Sequence, residues 1–276
     1  MVRVVRLSDL SDGRLDVFAR LTNNQMRGDL VSEGGVLVAE SRMVVEVALE
    51  EGVEPLAFLV DERDVDSSLD LLSRASDDVE AYVLPHEQIE LLTGFRLTRG
   101  LLCAMRRPRS LTVGEALEGA RRVVVVEDLV DVSNVGALFR NAAALGADAV
   151  ILSPRCADPL SRRSVRVSMG CVFKLPWARA ARGDWPGTTL SALREQGFST
   201  IALALEPGAV ALDDPALLAA GRRALLFGSE GYGLSRSALK ACDHTAIIPM
   251  ARGVDSLNVA ASSAVAFWQL FSRDGL

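Results

Sequence analysis

Val123-Val-Val-Val126-Glu-Asp-Leu-Val-Asp131-Val-Ser-Asn134-Val-Gly-Ala-Leu-Phe-Arg140-Asn-Ala-Ala-Ala-Leu-Gly146 is the stretch from which the fold can be read. Four consecutive valines form an unbroken apolar strand, the kind buried on both faces of a parallel sheet. Val135, Leu138, Phe139, Ala142 and Leu145 then recur at helical spacing. Ser133 and Asn134 stand where a helix needs an N-cap, since their side chains accept from unpaired backbone N–H groups. A second apolar strand, Ala149–Leu152, completes a strand–helix–strand unit. Arg140 lies about 200° around the helix from Leu138, so it is predicted to face away from the buried stripe.

The same alternation extends in both directions. Upstream, strands are predicted at Val36–Ala39, Leu56–Val60, Ala81–Leu84 and Leu101–Met105. Helices fall between them, one with Ser41 at its start, one holding Leu69–Leu72 and one near His86–Leu92. Arg106–Ser110, which contains Pro108, reads as a linker, followed by a short helix at Val113–Glu118. Downstream, strands are predicted at Ile201–Leu205, Ala224–Phe227 and Ala246–Ile248, with a closing helix over Leu257–Phe271 that Ser256 caps. Strands alternating with helices indicate α/β architecture. Two domains are expected, residues 1–109 and 110–276.

The chain of 276 residues has 49% hydrophobic and 24% charged residues, which is globular composition. Its longest apolar runs are too short to cross a bilayer. Met1–Leu10 holds no apolar core of signal-peptide length, so a soluble, cytoplasmic protein is expected. Cys103, Cys156, Cys171 and Cys242 lie far apart with no CxxC pair, and His86 and His244 are the only histidines. That excludes a credible zinc site and suits reduced thiols, so no metal is expected. The net charge of −6 divides into −9 over residues 1–118 and +3 over residues 119–276. Within the acidic part, Leu91–Arg109 carries Arg96, Arg99, Arg106, Arg107 and Arg109 and no acid. A second cluster, Arg155, Arg162, Arg163 and Arg166, is opposed in sequence only by Asp158. Such stripes suit phosphate contact, and equally a solvated face.

Two more segments draw attention. Leu225-Leu-Phe-Gly228-Ser-Glu230-Gly-Tyr-Gly233-Leu-Ser235 is a strand emptying into a glycine-rich turn. It is no P-loop, because Leu234 stands where the lysine would be. Its glycines run GxxGxG, the wrong order for a dinucleotide fingerprint. Ile248-Pro-Met250-Ala-Arg-Gly253-Val-Asp-Ser256-Leu-Asn258-Val-Ala-Ala-Ser-Ser-Ala264 is a strand end, a loop and a small-residue helix start. Each segment taken alone is also explained structurally, as a capped surface helix, a turn with a solvated glutamate, or a tightly packed helix.

Together and in order, Asn134-x-Gly136-x3-Arg140, Gly228-x-Glu230-x2-Gly233, Ile248-Pro-Met250 and Ser256-Leu-Asn258 resemble the three motifs of the SpoU/TrmH family of RNA 2′-O-methyltransferases. The resemblance covers roughly residues 121–273. Val132 replaces a frequent proline and Ala260 a frequent serine; neither change removes a polar group of the chemistry that the resemblance implies. Residues 1–109 are more loosely similar to the small α/β RNA-binding domain that precedes the catalytic domain in many members.

The resemblance implies a C-terminal trefoil-knotted α/β methyltransferase domain with a parallel sheet, although knots are otherwise almost absent from proteins. It implies a homodimer that binds S-adenosylmethionine and methylates a ribose 2′-hydroxyl. Carried over by position, Gly228, Ile248, Met250 and Leu257 contact the cofactor, and Asn134, Arg140, Glu230, Ser256 and Asn258 form the active site. Arg140 usually receives the role of base, but a guanidinium stays protonated. It is therefore expected to grip the target phosphate and stabilise the developing alkoxide, with Glu230 orienting it or nearby backbone. Arg96, Arg99, Arg106 and Arg107 are the expected RNA contacts outside the active site. Ribosomal RNA is favoured over tRNA. The alternatives are a tRNA 2′-O-methyltransferase, a non-catalytic RNA-binding or assembly protein, or a nucleotide-binding enzyme of another class.

Overall fold

A computed structural model describes residues 2–19, 35–97 and 100–271. The chain forms two compact units, Met1–Arg109 with Leu160–Phe173, and Ser110–Pro159 with Lys174–Leu276. Residues 160–173, expected in the second domain, thus group with the first.

The first unit is built on a five-stranded sheet in the order β1-β4-β3-β5-β2. Its strands are β1 (Arg3–Arg6), β2 (Val36–Glu40), β3 (Pro55–Asp61), β4 (Glu80–Leu84) and β5 (Leu101–Arg106). β1, β4 and β3 run parallel, whereas β5 is antiparallel to both β3 and β2. One face buries Leu15, Phe18, Leu59, Leu84, Ile89 and Leu102. At the end of β3, the fully buried Asp61 carboxylate accepts from the Arg63 backbone at 3.0 Å, the Arg63 side chain at 2.6 Å and His86 Nδ1 at 2.7 Å. The helix Arg42–Glu50 starts after Ser41, as expected, but with no side-chain cap bond.

Within this unit, the helix Arg162–Val167 packs on β2. Buried Glu40 of β2 accepts from Arg162, and from Arg166 at 2.9 Å, and Arg162 lies 3.9 Å above the Phe95 ring. The second basic cluster is therefore not opposed by Asp158 alone: Glu40 answers two of its arginines, and Asp128 lies 3.5 Å from Arg155. A side chain added at Gly170 would meet Val47 at 2.9 Å, so the glycine permits this close approach.

The second unit contains a seven-stranded sheet in the order β10-β12-β9-β11-β6-β7-β8. Its strands are β6 (Arg122–Val126), β7 (Ala149–Leu152), β8 (Trp177–Arg179), β9 (Ser199–Leu203), β10 (Val210–Ala211), β11 (Arg223–Phe227) and β12 (His244–Ile247). Every neighbouring pair is parallel, so all carboxyl ends share one edge. Val123–Val126 is fully buried, as its composition requires. After β8 at one edge the chain returns to the far side of β6, and such reversals open crevices at carboxyl ends. The helices Val132–Ala144 and Val259–Leu270 pack together, joined by Asn141 Nδ2 donating to Ala260 O at 2.7 Å and Ser263 Oγ at 3.0 Å. The small residues that open the last helix permit this approach.

Among the described residues, no helix is long and apolar enough to cross a membrane. None of those residues form a group of three or more His, Cys, Asp or Glu suited to a metal ion.

Candidate active site

The carboxyl ends of β9, β11 and β12 surround a pocket of about 490 Å³. Its wall includes Gly228, Glu230, Ile248, Met250, Ser256, Leu257 and Asn258, seven of the residues singled out from sequence. Leu203, Leu205 and Ser262 also line it and carry no motif that would have marked them. Gly228 is needed for the turn itself. A Cβ there would stand 2.1 Å from Gly233 C and 2.4 Å from Leu234 N, closer than atoms can approach. The turn is closed by Ser229 N donating to Gly233 O at 3.1 Å and Gly233 N donating to Ser229 O at 2.9 Å.

Asn134 does not line the pocket, but it ties the three motifs together. Its amide nitrogen donates to Glu230 Oε1, and its amide oxygen accepts from Asn258 Nδ2 at 3.2 Å. Asn258 Oδ1 in turn accepts from Ala260 N at 2.9 Å. Segments 96 and 124 residues apart thus meet in one chain of side-chain bonds.

Three local expectations change. Asp131, not Ser133 or Asn134, caps the helix Val132–Ala144, accepting from Ser133 N at 2.6 Å and Asn134 N at 3.1 Å. That leaves the Asn134 side chain available for Glu230 and Asn258. Asn258, not Ser256, caps the last helix, while Ser256 Oγ donates to Asp255 at 3.2 Å. Glu230 meets Asn134 rather than Arg140. Arg140 is exposed on its helix, away from the buried stripe as predicted, and is not part of the pocket wall.

Of the expected RNA contacts, Arg96 is exposed and Arg107 half-buried. Arg106 ends β5 rather than opening a linker, and its guanidinium bonds Glu54 at 2.7 and 3.3 Å. Arg99 lies outside the described residues.

Sequence reasoning passed over Glu127. It follows β6 directly and is 6% exposed. Its carboxylate accepts from Trp185 Nε1 at 2.8 Å, Ser235 N at 2.7 Å and Ser235 Oγ at 2.8 Å. The available signal was an acid immediately after a buried valine strand, a position that must find partners.

Comparison with known proteins identifies the family. Residues 121–268 match the model of the SpoU rRNA Methylase family. An uncharacterised tRNA/rRNA methyltransferase of Mycobacterium bovis is 43% identical over 95% of this chain and 89% of its own. The 23S rRNA (guanosine(2553)-2'-O)-methyltransferase RlmP of Bacillus subtilis is 25% identical over 85% of this chain and 87% of its own. An AdoMet-bound rRNA methyltransferase from Sinorhizobium meliloti superposes with a TM-score of 0.80 at 24% identity, covering 97% of each chain. The fold is that of the trefoil-knotted SpoU methyltransferases.

Proposed function

The chain belongs to the SpoU rRNA methylase family, and on that premise we propose that it transfers a methyl group from S-adenosylmethionine to a ribose 2′-hydroxyl of RNA, ribosomal RNA in preference to tRNA. The observation that carries the reading is the side-chain chain Glu230–Asn134–Asn258 beside the pocket. Structural packing alone does not require three distant polar segments to converge at the carboxyl edge of a sheet. The name and the 85% coverage of the Bacillus relative support the ribose and the ribosomal RNA.

The pocket suits the cofactor. Leu205 is 63% exposed and Leu257 43%, apolar surface that a flat heteroaromatic ring would cover. Glu230 and Asp255 bring negative charge to the same wall, as a sulfonium requires. Gly228, Ile248, Met250 and Leu257 are the proposed cofactor contacts.

S-adenosylmethionine supplies an already activated methyl group, so the protein's work is alignment and management of the hydroxyl proton. With the cofactor held by Gly228, Ile248, Met250 and Leu257, it would supply the methyl group to the ribose oxygen, and the hydroxyl proton would leave to solvent or to the substrate phosphate. Asn134 fixes Glu230 against Asn258 and so holds the glycine turn to the last helix. Arg140, always protonated, grips the target phosphate and stabilises the developing alkoxide. Ser256 and Asn258 position the substrate and the loop. The first unit, with Arg96, Arg99, Arg106 and Arg107, contributes RNA affinity; Arg106 does so by exchanging its exposed partner Glu54 for a phosphate. Two copies of the chain form the working dimer.

The test is methyl transfer from labelled S-adenosylmethionine to total RNA, wild type beside Arg140→Ala. Label in alkali-resistant dinucleotides is expected with wild type and at least about a hundredfold less with the variant. Cofactor binding without transfer to any RNA, unmodified ribosomal and transfer RNA included, would replace this reading with that of an RNA-binding assembly protein.

A further inference from the structure

A second cavity of about 580 Å³ lies in the same unit, walled by Glu127, Asp128, Arg155, Arg182, Trp185 and Ser235 with three other residues. These residues follow β6, β7 and β8, or begin the helix Arg236–Ala241. The cavity therefore opens at the same carboxyl edge as the first pocket. β11, which feeds the first pocket, and β6, which feeds the second, are hydrogen-bonded neighbours. The glycine-rich turn serves both, with Gly228, Ser229, Glu230 and Gly233 in one wall and Ser235 in the other.

The wall is tightly organised. Glu127 holds Ser235 by two bonds and Trp185 by the indole's only donor, so one buried carboxylate sets both the ring edge and the end of the turn. Three donors already share its charge, which limits its repulsion of an incoming anion. Asp128 sits in left-handed backbone, φ 54°, with Ser153 Oγ donating to it at 2.8 Å and its own N–H donating back at 2.9 Å. Arg155 stands 3.5 Å from Asp128 with its side chain 76% exposed, a loose pair that solvent screens. Arg182 is exposed.

Two guanidiniums and a fixed indole match the parts of an unpaired nucleotide. Guanidinium forks take phosphate oxygens, and an aromatic face takes a base of any identity. A small anion would have no use for the indole, and a duplex would not present an unstacked base. We infer that this cavity binds a single-stranded nucleotide flanking the methylated one, with its phosphate on Arg155 and Arg182 and its base against Trp185. Glu127 is the positioning residue that couples this subsite to the glycine turn. The inference rests on the RNA reading above, but its test does not use the reaction.

Fluorescence anisotropy with a labelled single-stranded RNA of about a dozen nucleotides, and with its duplex, is measured without cofactor across a salt series. Wild type is expected to prefer the single strand. The double variant Arg155→Ala/Arg182→Ala, which changes exposed side chains only, is expected to weaken single-strand binding by tenfold or more. It should also flatten the slope of log affinity against log salt by about 1.4 for two lost phosphate contacts. Trp185→Leu keeps an apolar group against the core and is expected to lose about tenfold with the salt slope unchanged. Unaltered affinity and slope in the arginine variant would overturn the subsite. A Trp185→Leu variant equal to wild type would overturn the base contact. RNA bound through these residues by a protein that methylates no RNA would sink the proposed reaction and leave the subsite standing. Methyl transfer with unaltered binding in both variants would do the reverse.

Discussion

The Asn134 side chain uses both of its ends. The nitrogen donates to Glu230 and the oxygen accepts from Asn258, an arrangement no other residue of similar size reproduces. Asn134→Asp exchanges that donor for a second carboxylate facing Glu230. The expected result is a lower thermal midpoint than Asn134→Ala, because like charges at contact repel while alanine only leaves partners unpaired. Both variants should lose at least about a hundredfold in methyl transfer. If Asn134→Asp melted with wild type and retained its rate, the bridge would have no part in holding the motifs together. Asn134 and Glu230 were legible in the sequence as members of separate motifs. Their pairing was not, because Asn134 looked like a cap and the true cap, Asp131, sits three residues earlier. Periodicity places a residue on a helix; it does not say which of two neighbouring acceptors meets the backbone.

The turn that follows β3 is anchored by one buried acid. Burial pushes the Asp61 carboxyl up, but bonds from Arg63 and His86 outweigh it and hold the group below the ordinary aspartate range. A carboxyl depressed in the folded state stabilises above its unfolded pKa, near 3.9, and that contribution disappears as pH falls through the folded value. Asp61→Asn should therefore cost about 1–3 kcal/mol at neutral pH. The difference from wild type should narrow below about pH 4. Urea denaturation at pH 7 and at pH 3 checks this; a gap that stays constant would show that charge on Asp61 contributes nothing.

Elements announced by composition were legible. The valine run of β6, the apolar β7 and the striped helix between them were found nearly to their ends. Missed strands were short or charged. β1 reads Arg-Val-Val-Arg and is mostly exposed, β8 has three residues, and β10 has two. Such strands exist because a neighbour offers hydrogen bonds, which is tertiary information. The helix Arg162–Val167 was hidden for another reason: three arginines in six residues looked like a phosphate stripe, while the acid that answers two of them lies more than a hundred residues upstream.

The chain passes between the two units three times, after Arg109, after Pro159 and after Phe173. A fragment beginning at Ser110 would keep the segment Leu160–Phe173 and lose what it packs on. Leu160, Val165 and Val172, all buried in the intact chain, would face solvent, and Arg162 and Arg166 would lose Glu40. Such a fragment is expected to bind a hydrophobic dye and to melt several degrees below the full chain. Equal midpoints and no dye binding would show the excursion to be dispensable. The order of two α/β units was readable from alternation, and the knotted fold from the motifs' resemblance. The excursion was not readable, because nothing in its local composition differs from a loop of the second unit.

Those three passages bear on how such a gene can change. Recombination at a single junction near codon 110 would couple a foreign N-terminal half to a body that still carries the clasp of the old one. The graft succeeds only if the incoming half brings a buried acid where Glu40 stands and a gap where Val47 meets Gly170. The N-terminal unit is thus inherited with its partner, and it changes more readily by substitution within it than by exchange of it.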